Sequence, residues 1–173
     1  MDQELIKRIL SSIILIPVCL FLIIKGSILF NIFLLICFFI TIYEWQIMIK
    51  NNFFKYFGLI FLILSFYSLY LIRNDFDKDY KYLLFVLIIC ISTDIGGYVF
   101  GKIFKGPKLT KISPNKTISG TLGAFFLSLS SIIIFFKFNY FNSSDDISMK
   151  VFIYVILIST ISQLGDITIS YFK

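Results

Sequence analysis

Residues 82–101 read YLLFVLIICISTDIGGYVFG. Asp94 is the one charged residue in this run of twenty. A helix of roughly 20 residues covers the ~30 Å hydrocarbon core of a bilayer, so the stretch has the length and character of a membrane span. Working outward, comparable runs lie at about 9–24, 28–49, 53–72, 118–138 and 151–172, giving six predicted spans. The 173-residue chain is 58% hydrophobic with a mean hydropathy of +0.92, and its spans have no water-facing half. In hydrocarbon every backbone polar group must be paired, which only helices and closed barrels achieve. These runs are too long and unbroken for barrel strands. The predicted fold is therefore all-α, a polytopic integral membrane helical bundle embedded in a lipid bilayer.

Residues 9–24 follow Lys7 and Arg8 in the manner of a signal sequence. Lys25 and Gly26 lead straight into the next run with no small-residue cleavage site between, so this segment is read as a retained helix, kinked at Pro17. Cys19, Cys37 and Cys90 all fall inside spans without metal-ligand spacing and are read as packing residues. The chain has no histidine, which excludes histidine-based catalysis and ligation within it.

With the N-terminus in the cytoplasm and six alternating helices, the inner segments hold Lys7, Arg8, Lys50, Lys55, Lys102, Lys105, Lys108, Lys111, Lys116 and Lys173. The outer segments hold fewer cations: Lys25, Arg73, Lys78, Lys81, Lys137 and Lys150. The positive-inside rule favours this orientation. It puts the basic loop 102–117 in the cytoplasm, where anionic nucleotides and lipid headgroups are found.

Three acids lie within spans: Glu44, Asp94 and Asp166. A carboxylate at membrane depth is costly and usually faces a protein interior or a watery cavity. Each is expected five to seven residues from the cytoplasmic end of its helix, roughly 8–11 Å at 1.5 Å per residue. Glu44, beside Trp45, equally fits an interfacial position, and for Asp94 a structural pairing with a lysine is the lesser alternative. Asp166 has the strongest context. Ser159, Gln163, Asp166 and Ser170 are spaced 4, 3 and 4 and share one helix face. A polar stripe on an apolar helix faces a site or another helix rather than lipid. Small residues (Gly96, Gly97 and Gly101, then Gly120, Ala124, Ser128 and Ser131) read as close helix packing.

Carboxylates beside a lysine cluster point to phosphate chemistry. Mg²⁺ usually binds through one or two carboxylates plus substrate phosphates. Lysines neutralise phosphate as point charges, and together these groups stabilise the charge that develops in phosphoryl or nucleotidyl transfer. The residues alone support a phosphate-handling membrane enzyme and no finer statement. No Walker loop or dinucleotide fingerprint is present.

Two ordered motifs carry a resemblance. Asp94, Tyr98, Gly101, Lys102, Phe104, Lys108 and Leu109 are followed by ISPNKT at 112–117 and by Gly120. This resembles the phosphatidate cytidylyltransferase (CDP-diacylglycerol synthase) family, in which Asp-x-x-Ala-Tyr-x-x-Gly-Arg leads to Lys-Leu and then to Ile-Ser-Pro-Lys-Lys-Thr-Trp-Glu-Gly. Here Gly97 stands for Ala, Lys102 for Arg, Asn115 for the first Lys, and Ile118 and Ser119 for Trp-Glu. QLGDITISYFK at 163–173 resembles that family's Gln-x-Gly-Asp-x-x-x-Ser-x-x-Lys-Arg segment through Gln163, Gly165, Asp166, Ser170 and Lys173. The resemblance covers about residues 90–173.

It implies the reaction CTP + phosphatidate → CDP-diacylglycerol + pyrophosphate, with Mg²⁺ as cofactor and CTP, phosphatidate and the bilayer as partners. Catalytic roles fall on Asp166, Lys116 and Asp94, with Asp166 also a metal ligand. Lys102, Lys108, Ser113, Asn115, Thr117, Ser170 and Lys173 would bind substrate. Asp94 would support the metal or orient a lysine. The implied location is a bacterial plasma membrane with the site facing the cytoplasm. No nucleic acid is expected, and a homodimer is compatible. The chain then reads as one transmembrane domain, 1–173, with N-terminal helices in 1–81 and part of the catalytic region in 82–173.

The family pattern continues, after Lys-Arg, through Lys-Asp, Pro-Gly-His-Gly-Gly and Asp-Arg-x-Asp, whereas these residues stop at Lys173. The expectation is an amino-terminal fragment that is inactive by itself. Two alternatives remain open: a small transporter, which calls for midplane acids and an inverted repeat, and a structural subunit whose lysine loop grips anionic lipid by charge.

Overall fold

The computed structural model describes residues 3–49, 52–74, 80–109, 113, 116–137 and 149–172. These form six helices: α1 (Gln3–Lys25), α2 (Ser27–Met48), α3 (Asn52–Asn74), α4 (Tyr80–Phe104), α5 (Ile118–Lys137) and α6 (Met149–Phe172). Five of them, α2 to α6, are long and apolar enough to cross a membrane, and Ile13–Lys25 of α1 is a shorter apolar helix. The chain is an all-α polytopic membrane protein, as its hydropathy predicts. Cys19, Cys37 and Cys90 form no disulfide. The predicted boundaries hold to within a few residues except at the start of α1 and the end of α4. There α4 continues to Phe104, placing Asp94 ten residues from the end of its helix.

The chain divides into two compact units, Met1–Leu83 and Leu84–Lys173. In the first, α1 turns into α2 at Gly26, whose φ of 62° lies in the left-handed region that favours glycine. The Arg73 guanidinium fills the space over it: a Cβ on Gly26 would lie 2.0 Å from Arg73 Nη2. Arg73 is buried, and it donates from Nε to the Ile23 carbonyl at 2.8 Å and from Nη2 to the Ile24 carbonyl at 3.2 Å. Carbonyls in the last turn of a helix lack intrahelical partners. A cation there satisfies them and complements the negative end of the helix dipole. Lower on the same unit, the Trp45 ring lies against Gly58, and its Nε1 donates to the Lys55 carbonyl at 3.3 Å.

The second unit shows the membrane pattern of burial. Thr93, Ala124, Ser128, Ser131 and Ser159 are at most 2% exposed, while Phe126, Ile133 and Ile161 are more than 60% exposed. Lipid tails are as apolar as leucine, so large apolar side chains gain nothing by turning inward, and small residues that let backbones approach take the interface. Helices α4 and α5 meet in this way. A Cβ on Gly96 would lie 2.4 Å from the Gly123 carbonyl oxygen, and one on Gly120 would lie 2.7 Å from the Gly97 carbonyl oxygen. Ile89 and Val155 are fully buried, and Phe85 meets Phe135 edge to face at 4.8 Å.

Candidate active site

The second unit contains a cleft of about 270 Å³ built from four pieces of chain. Helix α4 contributes Thr93, Asp94, Gly97 and Tyr98. The α4–α5 connection contributes Lys116 and Thr117, α5 contributes Gly120, Thr121 and Ala124, and α6 contributes Gln163 and Asp166. The charged residues of this wall are Asp94, Lys116 and Asp166.

The connection is shaped by a short reversal. The Lys105 amide donates to the Gly101 carbonyl at 3.2 Å and closes α4, and Lys105 itself turns with a φ of 42°. Lys108 and Thr117 then pair as an isolated antiparallel bridge. Leu109 N–H donates to the Lys116 carbonyl at 2.8 Å, and Lys116 N–H donates to the Ser113 carbonyl at 3.1 Å. Thr117 caps α5: its Oγ1 accepts from the Gly120 amide at 3.1 Å, the N-cap bond that satisfies an orphan donor. Ser119 Oγ accepts from the Gly106 amide at 3.2 Å, tying the start of the loop to the first turn of α5. Lys116 is thus held by its own backbone next to a capped helix end.

From there the Lys116 side chain reaches α6. Its Nζ lies 2.9 Å from Asp166 Oδ2 and donates to the Gln163 carbonyl at 3.1 Å. The side chains are 24% and 52% exposed, so the pair sits at the opening of the cleft. The rest of the polar stripe on α6 is also engaged. Thr93 Oγ1 and Ser159 Oγ are hydrogen-bonded at 3.1 Å, Gln163 Nε2 donates to Ser159 Oγ at 3.4 Å, and Ser170 Oγ donates to Ser113 Oγ at 3.5 Å. The face read from the 4, 3, 4 spacing is the face that α6 turns toward α4 and the loop.

The sequence-predicted site residues therefore separate. Asp94, Lys116, Thr117 and Asp166 share the cleft. Ser113 is buried and, with Ser170, anchors the loop to α6. Lys102 instead donates to the Tyr98 hydroxyl at 3.4 Å, with its ammonium 5.5 Å from the centre of that ring. Lys108 is exposed beside the bridge, outside the cleft wall. Asn115 and Lys173 lie outside the described residues. Glu44 belongs to the first unit. Two cleft residues were missed, Thr93 and Thr121. For Thr93 the available signal was a hydroxyl next to an acid in mid-span; for Thr121 it was a hydroxyl one turn into a helix capped by Thr117.

Among the described residues no group of three or more acidic or cysteine side chains could hold a metal alone. Two carboxylates on one cleft wall do match the one or two that Mg²⁺ takes when phosphate oxygens complete its shell.

Comparison with known proteins identifies the family. Residues 56–173 match the cytidylyltransferase family. A phosphatidate cytidylyltransferase of Rickettsia conorii is 32% identical over 96% of this chain and 74% of its own length. The protein of that name from Rickettsia felis is 31% identical over 99% of the chain and 77% of its length. One from Staphylococcus aureus is 38% identical over 98 residues, so the match spans 56% of this chain and only 36% of that relative. No solved structure matches. The match over α3 to α6 takes in every element that builds the cleft, and the chain belongs to the cytidylyltransferase family.

Proposed function

We propose that the protein transfers a cytidylyl group from CTP to phosphatidate, forming CDP-diacylglycerol and pyrophosphate, at a cytoplasmic-facing site in a bacterial plasma membrane. The observation that carries this reading is the convergence of Lys116, Asp94 and Asp166 on one cleft among membrane-spanning helices. A lipid phosphate and a water-soluble triphosphate can meet only where a polar pocket opens at the membrane boundary. The names of the relatives and the basic-inside orientation point the same way.

In this reading a phosphate oxygen of phosphatidate attacks the α-phosphorus of CTP. The new P–O bond forms as the bond from the α-phosphorus to the bridging oxygen breaks, and pyrophosphate leaves with that oxygen. The nucleophile is already an anion, so no protein base is required. Lys116 supplies a cation to the triphosphate, and Thr117 and Thr121 offer hydroxyl donors beside it. Asp166 and Asp94 would hold Mg²⁺, which when bound neutralises charge on the phosphate oxygens. Asp94 sits on the α4 face that carries Tyr98, four residues on, and lines the same cleft as Asp166 of α6.

The test uses membranes of cells expressing the protein's whole reading frame, supplied with phosphatidate and labelled CTP. Mg²⁺-dependent label in CDP-diacylglycerol is expected, and Asp166→Asn removes it. Lipid labelling that proceeds equally with Asp166→Asn, or that is absent from the unaltered protein, overturns the proposal.

A further inference from the structure

The Lys116–Asp166 pair has a consequence for how ligands enter. Each partner is the group that the proposed reaction needs for something else: the ammonium for phosphate, the carboxylate for the cation. In this structure they neutralise each other, with Nζ 2.9 Å from Asp166 Oδ2 and 3.1 Å from the Gln163 carbonyl. The ammonium thus holds two oxygens of α6 that face the cleft, where a divalent cation would compete for the carboxylate. Both side chains are partly exposed. An exposed pair of this kind is worth no more than ~1 kcal/mol and exchanges readily. The anchor does not need to move for exchange to occur. Lys116 is fixed by backbone hydrogen bonds to Leu109 and Ser113, and Asp166 is fixed by its helix. Only the long lysine side chain has to swing.

We infer that Lys116 and Asp166 form a resting latch that exchanges partners only with a cation–triphosphate complex. One internal ion pair opens and two form, ammonium to phosphate and carboxylate to cation. A cation arriving alone must displace the ammonium and leave it unpaired. A triphosphate arriving alone must take the ammonium and leave two carboxylates, Asp94 and Asp166, facing its negative charge. The chelate meets neither obstacle. The cleft therefore binds cation and nucleotide as one unit, with each raising the affinity of the other by the same factor. Lys116 is in this respect a positioning residue for the metal as well as a phosphate contact. The inference rests on the nucleotidyl-transfer reading of the cleft.

The test measures binding rather than turnover. Free Mn²⁺ is followed by electron paramagnetic resonance as detergent-purified protein is titrated, with and without CTP. The unaltered protein is expected to bind Mn²⁺ weakly alone and much more tightly with CTP. Lys116→Met, which keeps the stem and removes the charge, is expected to bind Mn²⁺ alone about fivefold more tightly, the factor matching the upper value of an exposed pair. CTP then improves Mn²⁺ binding less in that variant. Lys116→Gln, which can still donate to the Gln163 carbonyl, provides a second variant should the first unfold. Lys105→Met removes an exposed charge from the same loop and is expected to leave Mn²⁺ binding alone unchanged. If neither Lys116 variant tightens Mn²⁺ binding, or Lys105→Met does so equally, the latch is wrong although the site reading stands. If Asp166→Asn leaves Mn²⁺–CTP binding intact, or the unaltered protein binds neither, the site reading fails and the latch with it.

Discussion

Gly96 and Gly97 are neighbours in sequence with opposite expected responses to a methyl group. A Cβ on Gly96 would lie 2.4 Å from the Gly123 carbonyl oxygen and 2.9 Å from Ala124 Cα, both backbone atoms of α5. Backbone cannot rotate away, so Gly96→Ala must push α4 and α5 apart. Overpacking of this kind costs about 1–3 kcal/mol. A Cβ on Gly97 would meet nothing nearer than the Gly120 carbonyl oxygen at 3.9 Å and Ala124 Cβ at 4.0 Å, which is ordinary contact. Gly97→Ala removes no interaction and gains up to about 1 kcal/mol of helix propensity. Thermal unfolding in detergent, read with a thiol-reactive dye on Cys19, Cys37 and Cys90, separates the two. A lower midpoint for Gly96→Ala and an equal or higher one for Gly97→Ala are expected. Equal destabilisation by both, or a silent Gly96→Ala, would refute the α4–α5 crossing and with it the shape of the cleft.

The same geometry makes Gly97 a probe of the cleft. Gly97→Leu projects into the space that Gly97 lines, and nucleotide binding by calorimetry is expected to fall more than the unfolding midpoint does. Lys116→Arg keeps the charge and changes its shape and donor geometry, so CTP-dependent turnover is expected to drop; the anionic-lipid-anchor alternative requires it to be silent. Asp166→Asn is expected to lower Mg²⁺-dependent turnover by about 10²–10³-fold, the usual effect of losing one charge-stabilising group, as measured by product formation in membranes. In the first unit, Arg73→Met leaves the Ile23 and Ile24 carbonyls without their guanidinium donor, and unfolding should show a loss of about 1–3 kcal/mol.

Much of this architecture is legible in the sequence because the bilayer imposes it. Length and apolarity locate α2 to α6 without knowledge of any contact, and a stripe at 4, 3, 4 spacing must turn Asp166 inward because lipid will not take it. What the sequence leaves open is direction. Five lysines lie between 102 and 116, and charge alone treats them alike. Among the described ones, Lys116 enters the cleft while Lys102 lies on Tyr98 and Lys108 is exposed. The difference comes from the loop reversal that joins Leu109 to Lys116, a backbone event set by hydrogen bonds that side-chain identity does not announce. Thr93 was missed for a related reason. A threonine inside a helix can satisfy itself on the carbonyl four residues back, and Thr93 does donate to Ile89 at 2.8 Å. Nothing in its spacing says that it also reaches Ser159.

The packing motif and the pocket turn out to be parts of one device. Along α4, Gly96 faces the backbone of α5 and sets the distance between the helices, while the next residue, Gly97, opens onto the cleft. Along α5, Gly123 meets the Phe100 side chain, whereas Gly120 and Ala124 line the cleft. Small residues are needed where membrane helices touch, because there is no hydrophobic drive to press larger ones together. The same smallness leaves a void wherever two such residues face each other without contact. Polar side chains that line it, Thr93, Asp94, Lys116 and Asp166, then find a place out of lipid that no large apolar residue fills. A helix crossing made by close approach thus yields a polar cleft of about 270 Å³. This explains why substitutions one residue apart are expected to affect folding in one case and ligand binding in the other.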